Sequence, residues 1–389
     1  MKIVYSGESV PRSYRKSIFL AGPTPRSSKV KSWRPEALKI LESFGYDGVV
    51  FLPEFRKGKK PRGWTYEKQC DWEHRCLDMA DIILFWVPRK LRTMPAFTTN
   101  VEFGLYANSG KIVLGAPKNT HKMRYFKFVS EKLMIPYSET LENTIVRALE
   151  IIGEGALRRG GECSVPLNIW RTLTFQKWYM AQKAAGNRLD DAKVLSIFHK
   201  VGQKKDKVWG WVIKPNIYVN DEKRHKYNDP VVARPDISSV VLVKKEPDLL
   251  KSKVVLVREF RSAVSNADGF IWEAPSGSSH DPLEPPLEVA AKELEEETDF
   301  LIDKSRLKPL GSRQLAATFS IHKAHAYFAE ITEEELKLFS DRAGKLKIND
   351  AHETGERLSI EIRTVGEILK NDLVGWSNVG MILSALSAL

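Results

Sequence analysis

Three glutamates, Glu293, Glu296 and Glu297, stand at i, i+3 and i+4 in the run Lys292-Glu293-Leu294-Glu295-Glu296-Glu297, directly after the apolar Val289-Ala290-Ala291. A helix with that pattern buries its valine and alanines and stacks the three carboxylates on another side. Like charges so placed repel. An oxygen-seeking divalent cation would turn the repulsion into a binding site, because Mg²⁺ or Mn²⁺ takes carboxylates and keeps waters that a phosphate can displace. The plainer reading is a solvated acidic face on which Lys292 pairs with Glu296.

The spacing around these residues resembles the Nudix box, whose pattern is Gly, five residues, Glu, seven residues, then Arg-Glu-apolar-x-Glu-Glu-x-Gly-apolar. Here Glu284, seven further residues and the stretch from Lys292 to Phe300 fall in register. Lys292 replaces the arginine, Asp299 replaces the closing glycine, and six residues rather than five separate Gly277 from Glu284. Lysine keeps the charge but loses the planar fork, and aspartate tolerates left-handed backbone better than most residues. The resemblance implies metal binding at Glu293, Glu296 and Glu297, with Glu297 also in the catalytic set. Arg258-Glu259-Phe260-Arg261 ahead of Glu273-Ala274-Pro275-Ser276-Gly277 is similar to the ADP-ribose and nucleotide-sugar pyrophosphatase branch. That likeness implies phosphate clamping by Arg258 and Arg261 and a metal-holding role for Glu273. Glu353-Thr354-Gly355-Glu356 resembles the loop carrying the general base in that branch; either glutamate or neither does that work, and Glu356 is carried as the candidate.

A second set of candidates lies among predicted strands. Ser17 to Ala21, Val49 to Pro53, Asp81 to Trp86 and Lys111 to Gly115 are short apolar runs separated by helix-like stretches. Such a text predicts a parallel sheet covered on both faces, with ligands beyond the carboxyl ends of its strands. Phe19-Leu20-Ala21-Gly22-Pro23, Ala80-Asp81 and Thr98-Thr99-Asn100-Val101-Glu102-Phe103-Gly104 together resemble the nucleoside 2-deoxyribosyltransferase family and its nucleotide N-glycosidase relatives, over roughly the first 150 residues. The resemblance implies that Glu102 is the nucleophile at the anomeric carbon and that Gly22, Pro23, Asp81 and Asn100 contact substrate. An acidic residue that the family often has shortly before the nucleophile is missing, since Phe97-Thr98-Thr99-Asn100 stands there. Its loss bears on transfer between bases more than on N-glycosidic cleavage. Read without the resemblance, Glu102 favours the positive end of its helix, Asp81 caps a neighbouring segment, and Gly22-Pro23 is a turn.

Composition sets the frame. A chain of 389 residues with 42% hydrophobic and 28% charged residues reads as a globular protein of more than one domain. No apolar run reaches the ~18 residues of a membrane span. Three cysteines fit no disulfide framework, so the expected location is cytoplasmic. The net charge of +12 includes short clusters such as Arg56 to Arg62 and Lys204 to Lys207, which read as solvated loops. Small phosphorylated substrates would exploit the same field as nucleic acid, so charge does not choose between the two, and nucleic acid is not the expected partner.

The predicted fold class is α/β. Residues 1–155 are expected to form a doubly wound parallel sheet of flavodoxin or Rossmann type. A linker around the glycines between 153 and 161 and a helical connector extending to about Lys200 fill residues 156–205. Residues 206–389 are expected to form an α+β Nudix fold, an α/β/α sandwich. The expected protein is a bifunctional nucleotide-metabolising enzyme. Its Nudix domain would hydrolyse a diphosphate-linked nucleotide with Mg²⁺, and its first domain would cleave an N-glycosidic bond or transfer a (deoxy)ribosyl group. The rival is a nucleotide-sensing regulator with a weakened Nudix domain. A nucleotide or nucleoside is the expected partner, no membrane is involved, and a homo-oligomer stays open.

Overall fold

The computed structural model describes residues 1–27, 29–56, 59–199, 208–279, 281, 283–349, 356–372 and 374–389, with Asn349 and Glu356 described by backbone alone. The chain forms two compact units, Met1–Ala233 and Arg234–Leu389.

The first unit is built on six parallel strands: β1 (Lys2–Tyr5), β3 (Ser17–Ala21), β4 (Val49–Leu52), β5 (Ile82–Trp86), β6 (Ile112–Gly115) and β7 (Tyr137–Ser138). They lie in the order β1-β4-β3-β5-β6-β7. The strands β3 to β6 are buried throughout, as near-continuous apolar runs in a sheet covered on both faces should be. Helices α1 (Arg34–Ser43) and α5 (Leu141–Ile152) cover one face, where Leu41 and Ile145 pack on Ile18, Val50 and Leu84. Helices α2 (Tyr66–Met79), α3 (Phe97–Tyr106) and α4 (Arg124–Lys132) cover the other, bringing Leu77, Phe103 and Phe126 onto Phe19, Phe51 and Phe85. Each large side chain so buried contributes about 1.5–3 kcal/mol of transfer free energy. Outside the edge strand β1, this is the doubly wound order in which the chain reverses direction between β3 and β5. That reversal opens a crevice beyond their carboxyl ends.

Two expectations for the connector are corrected. The glycine-containing stretch after Ile152 is packed rather than loose. β8 (Arg158–Arg159) pairs with β2 (Ser13–Tyr14), Arg158 is fully buried, and the Gly160 amide donates to the Arg12 carbonyl at 2.7 Å. A Cβ at Gly161 would lie 2.2 Å from the Asp190 carbonyl carbon, so that glycine serves a close backbone approach. The helical reading to Lys200 also stops early. Helices α6 (Leu167–Trp170) and α7 (Leu173–Ala184) end before Gly186, and β9 (Arg188–His199) pairs antiparallel with β10 (Val208–Val219). Much of β9 alternates in exposure with period two, the signature of a strand rather than a helix.

Strands β11 (Arg224–Lys226) and β12 (Val231–Ala233) complete that second sheet. Trp211 of β10 anchors it, fully buried beside Phe175 and Trp178 of α7. Its indole N–H donates to Thr172 and Thr174 Oγ1, each at 3.1 Å. This sheet therefore belongs to the first unit, whereas the sequence reading placed residues from 206 onward in the second domain.

The second unit holds a mixed sheet. Its strands are β13 (Ile237–Lys244), β14 (Lys253–Phe260), β15 (Phe270–Glu273), β16 (Ser276–Gly277), β17 (Lys308–Gln314), β18 (Lys323–Glu330), β19 (Leu346–Asn349) and β20 (Glu356–Thr364). The main path runs β17-β18-β13-β14-β20-β19, with β15 on β14 and β16 on β13. Only β13 and β18 pair in parallel among these ladders of described residues. Helices α8 (Pro286–Thr298) and α9 (Glu333–Arg342) pack on Val240 and Leu242. Helices α10 (Val365–Lys370) and α11 (Trp376–Ala388) pack on Val241 and Val243. The alternation along β13 thus feeds two cores and makes three layers. Among the described residues, no helix is long and apolar enough to cross a membrane.

Candidate active site

The crevice of the first unit is organised by Arg34, which opens α1 and is 1% exposed. Its guanidinium donates to the Leu20 carbonyl at 3.1 Å, the Gly22 carbonyl at 2.7 Å and Thr24 Oγ1 at 3.1 Å. It also pairs with Glu54 Oε1 at 2.7 Å. Gly22 must be glycine there: its φ is +145°, and a Cβ would sit 2.1 Å from the Trp86 carbonyl oxygen. The Pro23 carbonyl accepts from the Trp33 indole at 3.2 Å. Gly22 and Pro23, read from the sequence as substrate contacts, are thus the backbone that seats Arg34 between the ends of β3 and β5.

Two carboxylates face this cation from the other layer. Glu102 on α3 is 8% exposed and has neither a hydrogen bond nor an ion pair among the described residues. Burial raises its pKa to about 7, with Glu73 adding to the rise and Arg34 opposing it. The helix terminus does not supply the expected help, because Glu102 is the sixth residue of α3 and the dipole's influence fades within the first turn. Glu73 on α2 is half-buried, and burial raises its pKa as well, against a hydrogen bond from Gln69 and the charges of Arg34 and His74. Burial lowers the Arg34 pKa, and Glu54, Glu102 and Glu73 oppose that. One guanidinium therefore serves three carboxylates, and only Glu54 is bonded to it.

The other predicted residues divide. Asn100 lies in the first turn of α3, its side-chain oxygen accepting from the Arg89 guanidinium. Asp81 is elsewhere, at the amino end of β5 and 3% exposed. It pairs with Arg158 at 2.6 and 2.7 Å and accepts from the Ser17 amide and hydroxyl at 2.8 and 3.0 Å and from the Leu167 amide at 2.9 Å. Its carboxylate is consumed inside the fold, so the substrate role is corrected to that of tying β3, β5, β8 and α6 together. Sequence reasoning missed Arg34 and Glu73. Both left a trace: each is a charge with apolar residues at i+3 and i+4, Ala37 and Leu38 for Arg34 and Cys76 and Leu77 for Glu73, which puts it on a buried stripe.

In the second unit, α8 closes at Asp299 with φ 53°, the left-handed backbone that glycine usually takes. Glu297 is 5% exposed and accepts from the Ser276 amide at 3.1 Å. The Glu293 carboxylate lies against Gly277, where an added Cβ would come within 2.1 Å of it. Glu273 accepts from Arg261 at 2.9 Å, and Arg261 also pairs with Glu259 at 2.9 Å. Glu273, Glu293 and Glu297 thus gather on the turn from Glu273 to Gly277. Glu296 is apart, 3.5 Å from Lys292 Nζ. Arg258 pairs with Asp268 at 2.8 Å and stacks over Phe270 at 3.9 Å. Glu353 lies outside the described residues, as does the side chain of Glu356. No group of three His, Cys, Asp or Glu placed to hold a metal occurs among the described residues. Of the side chains expected to bind Mg²⁺, Glu273 is held by Arg261.

Strand order and helical cover make the first unit a Rossmann-like α/β domain with a crevice at its topological switch point. Residues 15–120 match a family model described as nucleoside 2-deoxyribosyltransferase like, a span that contains Gly22, Arg34, Glu73 and Glu102. No curated protein matches the chain.

Proposed function

We propose that the first unit breaks the N-glycosidic bond of a nucleoside or nucleotide, with Glu102 as nucleophile. The observation that carries this reading is a carboxylate left without a partner inside the crevice of a domain matched to nucleoside-processing proteins. The ionised oxygen attacks the anomeric carbon, the base departs, and the glycosyl-enzyme ester passes its sugar to water or to a second base. With its pKa raised to about 7, Glu102 becomes ionised as pH rises through neutrality, so the attacking form grows over that range. Arg34, held by backbone carbonyls, fixes the local charge without neutralising Glu102 outright. The test is release of free base from a panel of nucleosides and nucleoside monophosphates by wild type and by Glu102→Ala. The variant should lose about 1,000-fold or more of the rate, as expected for removal of a nucleophile; an unchanged rate would remove Glu102 from the reaction.

For the second unit we infer a Nudix-type domain that acts on a diphosphate-linked nucleotide. The three-layer architecture, the left-handed Asp299 and the gathering of Glu273, Glu293 and Glu297 on one turn support it. Mg²⁺ would require Glu273 to exchange Arg261 for the cation. Monophosphate released from ADP-ribose or a nucleotide sugar only when Mg²⁺ is added supports hydrolysis. Saturable binding without turnover would instead make this unit a nucleotide sensor.

A further inference from the structure

We infer that Arg234 joins Arg261 as the clamp on a diphosphate in the second unit, an assignment that rests on reading that unit as one that takes a diphosphate-linked nucleotide. The sequence pairs Arg261 with Arg258 instead, three positions earlier on an extended chain, and an odd separation there puts two side chains on opposite faces of the sheet. The faces are occupied accordingly. Val257 pairs with Glu273 and Arg258 with Trp272. Trp272 belongs to the core under α10 and α11, and Arg258 stays on that side, bonded to Asp268 and stacked over Phe270. Arg261 turns the other way, to Glu259 and Glu273, on the side of Val255 where α8 packs. The sheet therefore stands between Arg258 and the turn that gathers Glu273, Glu293 and Glu297.

Arg234 comes to that turn from the start of β13. Pro235 disfavours helical backbone at the residue before it, and Asp236 is pinned to β18, accepting from the Lys323 amide at 2.8 Å and pairing with His325 at 3.3 Å. From this braced segment the Arg234 guanidinium donates to Ser278 Oγ at 3.3 Å, one residue beyond the Gly277 against which the Glu293 carboxylate lies. The guanidinia act on each other there. Burial and the Arg261 charge lower the Arg234 pKa while Glu273 opposes, and burial and Arg234 lower that of His322 while Asp236 opposes. Cations gathered out of bulk water repel, and an anion between them removes that cost. A diphosphate also needs the pair, because Glu273, Glu293 and Glu297 on the same turn repel its charge. Each planar fork holds two phosphate oxygens, so two arginines suit two linked phosphoryl groups.

The experiment measures binding by titration calorimetry with Mg²⁺ present, using α,β-methylene ADP, whose carbon bridge resists hydrolysis, and inorganic phosphate. Wild type should bind the diphosphate saturably and more tightly than phosphate. Arg234→Gln should weaken it about tenfold or more, as loss of a charged hydrogen bond does, and Arg261→Gln by a similar factor. Arg234→Lys keeps the stem and the charge without the fork. It should bind more weakly than wild type and more tightly than Arg234→Gln, and it carries the test should the glutamine variant not fold. Unchanged affinity in a folded Arg234 variant, or a larger loss in Arg258→Gln, overturns the clamp, and the reading of the second unit then stands only where Arg261→Gln loses affinity. Inorganic phosphate bound as tightly as the diphosphate makes this a site for a free anion and also overturns the clamp. If wild type does not bind the diphosphate, or no arginine variant loses affinity, both the clamp and the reading fall.

Discussion

The two ends of the parallel sheet treat a buried carboxylate in opposite ways. At the amino end, Asp81 is surrounded by Arg158, Ser17 and the Leu167 amide. At the carboxyl end, Glu102 is nearly as buried and has no bonded partner among the described residues. Burying a charge is costly unless it is paired, so the first arrangement offsets the cost of burial and the second leaves it uncompensated. A fold tolerates the second where a ligand is to complete the site. The carboxylates of the second unit fall between these extremes, since Glu273, Glu296 and Glu297 each have a cation or an amide beside them.

The comparison breaks most visibly at Asp81. Asp81→Ala leaves Arg158 buried without its counter-charge and should cost about 3–5 kcal/mol, measured by denaturant unfolding; a cost below about 1 kcal/mol would mean that the ion pair does not hold the fold. At the other end the sign reverses. Glu102 has a folded-state pKa of about 7 against an ordinary value of 4.5. The folded protein therefore keeps a proton that the unfolded chain releases, and stability falls as pH rises from the lower value through the higher. Glu102→Gln should stabilise the first unit by up to about 3 kcal/mol at pH 8 and leave it unchanged near pH 4. Equal stability at both pH values would contradict the buried, unpaired state. The smallest effect belongs to the exposed pair on α8: Lys292→Ala should change stability by about 0.5 kcal/mol or less, and a larger loss would show that this face is more than a solvated stripe.

Much of this was legible in the sequence. The apolar runs at β3 to β6 gave the parallel sheet, because a strand buried on both faces leaves an unmistakable text. Asp299 announced its left-handed backbone through residue type and position. Asp81 misled, since a motif places a residue near a strand without telling which end of the sheet it faces. Arg158, its partner, is 77 positions away, and its glycine-rich surroundings read as linker although Gly160 and Gly161 serve a turn and a close approach. The extent of the first unit was hidden for a similar reason: Trp211 finds Phe175 and Thr172 through the fold, and nothing local in residues 208–219 names that destination.

The most direct test of the central claim is the mass of the peptide that contains Glu102 after incubation with a slow 2-fluoro-substituted nucleoside. A covalent sugar should appear on that peptide, be located at Glu102 by fragmentation, and vanish in Glu102→Ala. Free base released in the same incubation with the label on another carboxylate, or with no label at all, would contradict Glu102 as the nucleophile.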